Sequence, residues 1–325
     1  MPTDSAAPVL TVIAPVYDEE AVLPMFAARL RPVLDGIDVP YEVLVVDDGS
    51  RDSTPVLLQR MLREWPQLRV IRLRANAGHQ AAISAGLQGA RGDWTVTIDA
   101  DLQDPPEAIT ELYSAAVQQQ VDVVYAVRTD RSSDSRFKRR TAAGFYRLMR
   151  SLSDVDAAPD AGDFRLMSRA TVDAINSLPE HNRVLRLAVP ALGFPSATVG
   201  YRRDPRAAGS SKYPLSKMIR LTLDSVTGFS HTPLRLATWF SLGGFVVAVG
   251  VMVYVLVGKL TGNTVSGWAS TVVTVAGFSA LQLLCLGILG EYVGRTYSAM
   301  QQRPAYYVAY DSHDPSPADR GAGRS

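Results

Sequence analysis

Short apolar runs alternate with segments of helical spacing through the N-terminal part of the chain. The apolar runs, which predict strands, cover residues 9–14, 41–46, 68–73, 94–98 and 121–127. The segments in which apolar residues recur every three or four positions, which predict helices, cover residues 20–34, 53–64, 80–90 and 106–118. Because the predicted strands are nearly continuous apolar runs and are separated by helices, we expect an α/β domain with a mainly parallel sheet covered by helices on both faces.

Two much longer apolar stretches lie near the C-terminus. No charged residue occurs from Leu236 to Val257 or from Trp268 to Gly290, and each stretch has the ~20 residues that cross about 30 Å of hydrocarbon as a helix. Buried helices of a large soluble core are the alternative, although such helices seldom stay uncharged for so long. The sequence therefore predicts a hairpin of two membrane spans, 234–258 and 268–291, joined by an extracytoplasmic loop at 259–267.

Basic residues are concentrated on one side of these two stretches. They precede the first stretch at Lys212, Lys217, Arg220 and Arg235, they follow the second at Arg295 and Arg303, and the connecting loop has only Lys259. The positive-inside rule then places both the N-terminal domain and the C-terminus in the cytoplasm of a multi-pass protein of the cell (inner or plasma) membrane. The first apolar run is too short, and too closely flanked by acidic residues, to be a signal peptide.

The remaining segments complete the predicted organisation. Residues 1–8 form a flexible N-terminus, 9–213 the α/β domain, and 214–233 an amphipathic helix on the membrane surface, for which a linker helix packed on the domain is the alternative. Residues 292–310 form a cytoplasmic juxtamembrane segment, and 311–325 a disordered tail.

Composition excludes several classes of protein. With 33 Lys and Arg against 32 Asp and Glu, the net charge of +1 gives no global attraction to nucleic acid. The 47% of hydrophobic residues excludes bulk disorder, and Cys285, the single cysteine, excludes an internal disulfide framework or a multi-cysteine zinc site.

Acidic motifs follow three of the predicted strands: PVYDEE at 15–20, DDGS at 47–50 and DADLQD at 99–104. Each alone could be a turn that caps the next helix. Together they would cluster at one edge of the sheet, where α/β proteins bind ligands, and would suit a divalent cation and sugar or ribose hydroxyls rather than nucleic acid. The sequence has no G-x-G-x-x-G after the first strand and no Walker loop, which disfavours a dinucleotide-binding fold or a P-loop ATPase.

Six motifs in order resemble those of family 2 glycosyltransferases of the GT-A fold: PVYDEE, VVDDGSRDST, NAGHQAAISAGLQGARGD, DADLQDPPE, GDFRLMSR and RAAGSSKY. More narrowly, the motifs followed by an apolar hairpin resemble polyprenyl-phosphate glycosyltransferases, which include dolichyl-phosphate mannose synthases and bactoprenol glucosyltransferases with two C-terminal spans. The resemblance covers residues 9–307. It departs at Asp18, where relatives usually have Asn, although aspartate still accepts a hydrogen bond.

The resemblance implies roles for the residues of the acidic motifs. The nucleotide sugar would be bound by Pro15, Tyr17, Glu19, Asp48, Asp99, Ala100 and Asp101. Asp101, also expected to be catalytic, and Gln103 would contact a Mg²⁺ or Mn²⁺ that bridges the diphosphate. Hard divalent cations take oxygen ligands and often combine one or two protein groups with substrate phosphates.

Two basic segments are candidates for the acceptor phosphate. Residues 128–140 contain six basic residues against two acidic ones, and residues 202–220 contain six against one. The alternative is a solvated loop, or a patch that attracts anionic headgroups, which we prefer for 138–140. The resemblance assigns phosphate binding to Arg128, Arg131, Arg206, Ser211 and Lys212.

The GDFR motif supplies the last candidates. The resemblance places Asp163 and Arg165 beside the donor sugar and the acceptor phosphate, with Asp163 positioning the acceptor or acting as a base and Arg165 pairing with phosphate oxygens. A helix N-cap is the alternative for Asp163. His79 and His181 are expected to be structural or loop residues, and His231 to be interfacial.

The implied function is inverting, metal-dependent transfer of a sugar from a nucleotide-diphosphate sugar to polyprenyl (undecaprenyl or decaprenyl) phosphate, for cell-envelope glycosylation. UDP-glucose ranks first by similarity, while GDP-mannose, UDP-N-acetylhexosamine and modified-pentose donors stay open. A processive glycan synthase is disfavoured because the chain has no Q-x-x-R-W motif and only two spans. An inactive membrane adaptor and a transporter are disfavoured by the intact acidic motif and by spans without internal ionisable residues. Similar two-span enzymes imply a homotetramer.

Overall fold

A computed structural model describes residues 7–129, 161–178, 184–203, 232–261, 267–301 and 303–314 of the chain. These residues divide into two units. One is a sheet domain formed by the residues up to 203 together with residues 304–314, and the other is a helical unit formed by residues 232–303.

Eight strands form one mixed sheet in the described part of the sheet domain. They are β1 (Leu10–Val16), β2 (Tyr41–Asp47), β3 (Leu68–Leu73), β4 (Trp94–Thr97), β5 (Val123–Arg128), β6 (Ala161–Ser168), β7 (Ser196–Tyr201) and β8 (Val308–Asp311). The helices described here are α1 (Leu23–Asp35), α2 (Thr54–Glu64), α3 (His79–Gly89), α4 (Ala108–Gln119), α5 (Arg169–Ser177) and α6 (Leu185–Ala191). The α/β fold with a mainly parallel sheet is therefore confirmed.

The strands cross the sheet in the order β7-β5-β6-β4-β1-β2-β3-β8. β1 is parallel to β2 and β4, β2 to β3, and β5 to β7, whereas β6 is antiparallel to both β4 and β5. As a result, the first five strands and β7 all end at one edge of the sheet, and β6 begins there. We call this the carboxyl edge, and it is where ligands of such sheets bind.

Helices cover both faces of the sheet. One core cluster fills the face under α1, α2 and α4 and includes Phe26, Leu58 and Ile109. A second cluster fills the opposite face under α3, α5 and α6 and includes Ile83 and Val172. Burial on both faces explains why the strands read as continuous apolar runs rather than as alternating ones, and why β1 is buried along its whole length.

β8 comes from beyond the two apolar stretches and extends the sheet. The sequence predicts a juxtamembrane segment at 292–310 and a disordered tail at 311–325, so this strand is a departure from the prediction. It pairs antiparallel with β3, and Arg69 of β3 holds Asp311 through two bonds, 3.0 Å from Nε to Oδ1 and 2.6 Å from Nη2 to Oδ2. The sheet domain is therefore discontinuous in sequence, because residues 304–314 join the described residues up to 203.

The helical unit consists of α7 (Thr232–Leu260) and α8 (Trp268–Met300). Each contains a window long and apolar enough to cross a membrane, Ala237–Tyr254 in α7 and Val273–Gly294 in α8. These windows are almost wholly exposed in the isolated chain, unlike the core helix of a soluble protein.

The two long helices pack against each other as an antiparallel pair. The hydroxyl of Ser241 lies 3.5 Å from the sulfur of Cys285. Further along, a Cβ on Gly244 would come within 2.9 Å of Cδ2 of Leu281, so the missing side chain lets the helices approach closely. Because the two helices are antiparallel, the start of α7 and the end of α8 lie at the same end of the hairpin.

Candidate active site

The first two acidic motifs form a single structure at the carboxyl edge. The backbone N–H of Asp18 donates to Oγ of Ser50 at 3.0 Å, and the N–H of Arg51 donates to Oδ1 of Asp18 at 2.8 Å. The N–H of Glu19 donates to Oγ1 of Thr54 at 3.0 Å. The loops after β1 and β2 are thereby locked together, beside a cavity of about 550 Å³ lined by residues 18–22, 51 and 52.

The residues predicted to bind the nucleotide sit along these loops at different depths. Pro15, in β1, is buried and lies beside Val46 of β2. Tyr17 is 40% exposed and Glu19 is partly exposed, so both side chains are accessible to a ligand.

Asp48 lies deeper, under the loop that follows β3. It is 3% exposed, and its carboxylate accepts hydrogen bonds from the N–H groups of Ala77 at 2.7 Å and Gly78 at 2.9 Å. Gly49 follows in the left-handed region with a φ of 72°, and a Cβ there would lie 2.8 Å from the backbone of Ala75. This turn thus fits against the 75–78 loop only with glycine.

The third motif presents its oxygen atoms on one side of a loop. Ala100 and Leu102 are buried, whereas Asp99, Asp101 and Gln103 are partly exposed. The N–H of Gln103 donates to Oδ1 of Asp101 at 3.0 Å, which shapes the loop.

Negative charge is concentrated on this loop. Burial raises the pKa of Asp99 to about 6; the cation of His79 opposes the shift, and the carboxylates of Asp104, Asp163 and Asp101 add to it. Among the described residues, no group of three or more His, Cys, Asp or Glu side chains forms a complete metal cage. The partly exposed side chains of Asp101 and Gln103 supply oxygen atoms that fit a divalent cation whose other ligands come from a bound substrate and water.

Asp163 joins this loop from β6. Because β6 is antiparallel to β4 with Arg165 opposite Thr97, Asp163 lies just beyond the end of β4. Its place inside a strand removes the helix N-cap interpretation. Its Oδ2 accepts from Nε2 of Gln80 at 3.1 Å, and Oδ1 lies 3.1 Å from Nη2 of Arg165. Burial raises the pKa of Asp163, but the hydrogen bond from His79 and the charge of Arg165 outweigh it and lower the pKa to about 2.

Residues 11–175 match the family model described as glycosyl transferase family 2. The chain is 43% identical over 299 residues to the uncharacterized glycosyltransferase YkcC of Bacillus subtilis, a match that covers 92% of each protein. The chain belongs to glycosyltransferase family 2.

Other relatives of this glycosyltransferase have more specific names. It is 35% identical over 303 residues to the prophage bactoprenol glucosyl transferase homolog of Escherichia coli, covering 92% of this chain and 98% of that protein. It is also 35% identical over 302 residues to the bactoprenol glucosyl transferase of Shigella phage SfII, covering 92% and 97%. A solved structure of glucosyl-3-phosphoglycerate synthase from Mycobacterium tuberculosis matches with a TM-score of 0.48 and 20% identity, over 68% of this chain and 76% of that chain.

Arg165 of the glycosyltransferase is buried, whereas the sequence resemblance implied that it pairs with phosphate oxygens. Its side chain is 2% exposed, with Nη1 donating to the carbonyl oxygen of Leu185 at 3.0 Å and Nη2 to that of Gly162 at 3.0 Å. The expected pairing with phosphate oxygens does not fit this position, because the guanidinium is buried and its terminal nitrogens already bond protein oxygens. Arg165 instead holds Asp163.

Arg128 is the predicted phosphate ligand that the structure describes. It ends β5 at the carboxyl edge, and its Nε donates to the hydroxyl of Tyr201 at 3.3 Å. That hydroxyl in turn donates to Oδ1 of Asp104, which links Arg128 to the third acidic motif. The other predicted phosphate ligands lie outside the described residues, as do the basic run 138–140, His181 and His231; those ligands are Arg131, Arg206, Ser211 and Lys212.

Sequence reasoning missed two residues of the site. His79, expected to be structural, has its Nε2 3.4 Å from Oδ1 of Asp99 and 3.5 Å from Oδ2 of Asp163. Tyr201, which received no role, connects Arg128 with Asp104. The available signal was position: His79 opens the helix after β3 and Tyr201 ends β7, both at the carboxyl edge.

Proposed function

We propose that this glycosyltransferase moves a sugar from a nucleotide-diphosphate sugar to polyprenyl phosphate on the cytoplasmic face of the membrane. The observation that carries the proposal is the similarity to the bactoprenol glucosyl transferase of Shigella phage SfII, which covers 92% of this chain and 97% of that protein. A match of 302 residues extends past the sheet domain into the two apolar helices. Such helices suit an enzyme whose acceptor is a membrane lipid.

The preferred donor in this proposal is UDP-glucose, because the named relatives are glucosyl transferases. The preferred acceptor is undecaprenyl or decaprenyl phosphate, and the product is a polyprenyl-monophosphosugar. GDP-mannose, UDP-N-acetylhexosamines and modified-pentose donors are the alternatives that the donor panel described below distinguishes.

The nucleophile requires little activation in this reaction. A phosphomonoester has a second pKa of about 6, so a lipid phosphate is largely an oxyanion at neutral pH. An oxygen of that phosphate forms a bond to the anomeric carbon from the side opposite the departing nucleoside diphosphate, which inverts the anomeric centre. The protein must mainly hold two anionic reactants together in line.

We assign Asp163 to positioning rather than to proton transfer. With a pKa of about 2 it stays ionised at neutral pH and is a weak base, whereas an efficient general base has a pKa near the working pH. An ionised carboxylate fixed by Arg165 and Gln80 is suited to accept hydrogen bonds from hydroxyl groups of the donor sugar.

The third acidic motif would hold the metal. Asp101 and Gln103 would bind one Mg²⁺ or Mn²⁺ together with diphosphate oxygens, and the bound ion would neutralise charge developing on the leaving group. Arg128 would contact the acceptor phosphate at the same edge, together with the other predicted phosphate ligands, Arg131, Arg206, Ser211 and Lys212.

The membrane arrangement follows from chain order. Residues before α7 and residues after α8 both belong to the sheet domain, so the intervening segment must cross the membrane an even number of times. Two spans with Lys259 alone in their connecting loop satisfy this requirement, and the positive-inside rule then supports a cytoplasmic location for the sheet domain. A homotetramer completes the proposal, and light scattering of the purified protein checks that state.

The test is transfer by the purified full-length protein in lipid nanodiscs containing polyprenyl phosphate, with Mg²⁺ or Mn²⁺ and a panel of labelled nucleotide sugars. We expect a lipid-linked product from UDP-glucose, its loss on chelation of the metal, and its recovery when the metal is returned. Absence of lipid-linked product from every donor would overturn the proposed function.

Asp101→Ala tests the metal site within that assay. Loss of a metal ligand at the leaving group removes several kcal/mol of transition-state stabilisation, so we expect kcat to fall by at least ~100-fold. Glu111→Ala, which removes an exposed carboxylate from α4, is the matched control and should keep full activity. Undiminished turnover by Asp101→Ala would exclude Asp101 as a metal ligand.

A further inference from the structure

One imidazole contacts carboxylates from two different parts of the active site. Nε2 of His79 lies 3.4 Å from Oδ1 of Asp99, on the loop after β4, and 3.5 Å from Oδ2 of Asp163, in β6. Among the described residues, Asp99 forms an ion pair with His79. The two carboxylates are thus joined through the first residue of α3.

Asp163 is held from two further directions. Gln80, the next residue of α3, donates from Nε2 to Oδ2 of Asp163 at 3.1 Å and accepts from the N–H of Leu185 through Oε1 at 3.1 Å. Arg165 holds the other carboxylate oxygen. Asp163 is therefore held by Gln80 and Arg165 as well as by His79, whereas Asp99 is joined to Asp163 through its ion pair with His79.

The backbone before His79 is itself anchored. Gly78 has a φ of 96°, and its N–H and that of Ala77 donate to the two oxygens of Asp48. This arrangement fixes where α3 begins and therefore the direction in which the imidazole projects. His79 is 44% exposed at its side chain, so the bridge stands at the surface of the site and not inside the core.

We propose that His79 is a positioning residue that fixes the separation of Asp99 and Asp163 and so aligns the donor with the acceptor. The inference rests on the proposed function, in which Asp99 binds the nucleotide sugar and Asp163 lies beside the sugar and the acceptor. Two carboxylates repel each other unless a donor or cation lies between them. Without the imidazole the loop after β4 would move away from β6, and a misplacement of about 1 Å can cost up to ~100-fold in rate.

Replacement of His79 by two different residues tests this role. His79→Ala removes the bridge, and we expect kcat to fall by about 10-fold to 100-fold while the KM for the nucleotide sugar changes less than about 3-fold. His79→Gln keeps an N–H donor near the position of Nε2 and should recover at least about one third of the wild-type kcat. Equal kcat values for the two variants would overturn the proposal.

A double-mutant cycle separates positioning from a general effect on the fold. If His79 acts through Asp163, His79→Ala should lower kcat much less in an Asp163→Asn background than in the wild type. Additive effects would contradict the proposal. His313→Ala, which removes a histidine that contacts Arg91 at the opposite edge of the sheet, is the control and should leave kcat unchanged.

Side-chain ¹⁵N NMR tests the bridge without turnover. We expect the imidazole resonances of His79 to shift when Asp163 is replaced by Asn and again when Asp99 is replaced by Asn, while those of His313 stay in place. No shift would overturn the bridge even if sugar transfer is observed. Failure of every donor in the transfer assay would overturn the proposed function, and the NMR result would still decide whether His79 joins the two carboxylates.

Discussion

Arg165 and Asp163 form an ion pair within one strand, with 3.1 Å between Nη2 and Oδ1. The side chain of Arg165 is 2% exposed and that of Asp163 is 14% exposed. The guanidinium also lies 5.8 Å from the ring centre of Tyr125 in the neighbouring strand. A buried cation thus holds the carboxylate that the proposed reaction places beside the sugar.

Arg165→Met should therefore destabilise the sheet domain strongly. The substitution preserves much of the side-chain volume but leaves the carboxylate of Asp163 without its buried partner, a change that typically costs about 3–5 kcal/mol. The measurement is chemical unfolding of the full-length protein in detergent, followed by tryptophan fluorescence. Arg29→Met breaks an exposed pair with Glu107 and should cost less than ~1 kcal/mol. Similar small losses for both variants would contradict a structural role for the buried pair.

The backbone at Asp18 predicts which substitutions the first motif tolerates. Asp18 has a φ of 52°, in the left-handed region that Asn, Asp and Gly adopt most readily, and Oδ1 accepts the N–H of Arg51. Asp18→Asn keeps both features, so we expect its KM for the nucleotide sugar to stay within about 2-fold of wild type.

Asp18→Ala loses the hydrogen bond and adds about 1–2 kcal/mol of backbone strain, so the KM for the nucleotide sugar should rise. Asp18→Gly separates the two causes, because it keeps the backbone conformation and loses only the carboxylate. Steady-state kinetics at varied donor concentration gives the comparison. If Ala and Gly variants behave alike, the left-handed backbone contributes nothing to the difference.

The sequence predicted the parts of the site that depend on one rule, namely that parallel strands end at the same edge of a sheet. Asp48, Asp99 and Asp101 follow strands that end at the same edge, so their clustering needs only the strand assignments. Arg165 failed this reasoning because β6 inserts antiparallel between β4 and β5, and the strand alternation then turns its side chain toward the core beside Tyr125 and Met167. That insertion has no local signal in the sequence.

Two other features depend on contacts between distant parts of the chain. His79 reaches Asp99 and Asp163 because Asp48 anchors the preceding loop, and hydrogen bonds across 30 residues leave no periodic pattern. β8 is four residues long and pairs with a strand more than 200 residues earlier, which short-range propensity cannot indicate. The predicted phosphate ligands Arg131, Arg206, Ser211 and Lys212 lie outside the described residues, as do residues 214–231 of the predicted amphipathic helix 214–233, and these assignments stay predictions.

Tyr201→Phe tests the link between Arg128 and the third acidic motif. The hydroxyl accepts from Arg128 and donates to Asp104; burial and the bond to Asp104 raise its pKa to about 12, so it stays protonated. Removing the hydroxyl frees the side chain of Arg128 to move. The loss of one hydrogen bond costs about 1 kcal/mol, which corresponds to a roughly 5-fold rise in the KM for polyprenyl phosphate.

The KM for the nucleotide sugar should change little in this variant. Tyr113→Phe, at a tyrosine whose ring packs edge-on against Trp94, is the matched control for loss of a hydroxyl. An increase in the donor KM with an unchanged acceptor KM would show that Tyr201 acts on the metal-binding loop instead of on Arg128.

The bond between Arg69 and Asp311 predicts a pH-dependent contribution of β8 to stability. Burial raises the pKa of Asp311, but the hydrogen bonds from Arg69 outweigh it and hold the pKa below its ordinary value. A depressed pKa in the folded state means that the ionised form stabilises the fold. This contribution is fully present above the unfolded-state pKa of about 3.9 and is lost as the pH falls through the folded-state pKa.

Asp311→Asn should therefore lower the free energy of unfolding by about 1–3 kcal/mol at pH 7, the usual value of a charge-assisted hydrogen bond. The difference from wild type should shrink as the pH falls below about 4, because protonated Asp311 no longer pairs with the guanidinium. Unfolding of both proteins across a series of pH values gives the comparison, with Asp38→Asn, at an exposed aspartate before β2, as the control. A difference that stays constant down to pH 3 would mean that β8 is held by its backbone pairing with β3 and not by the ion pair.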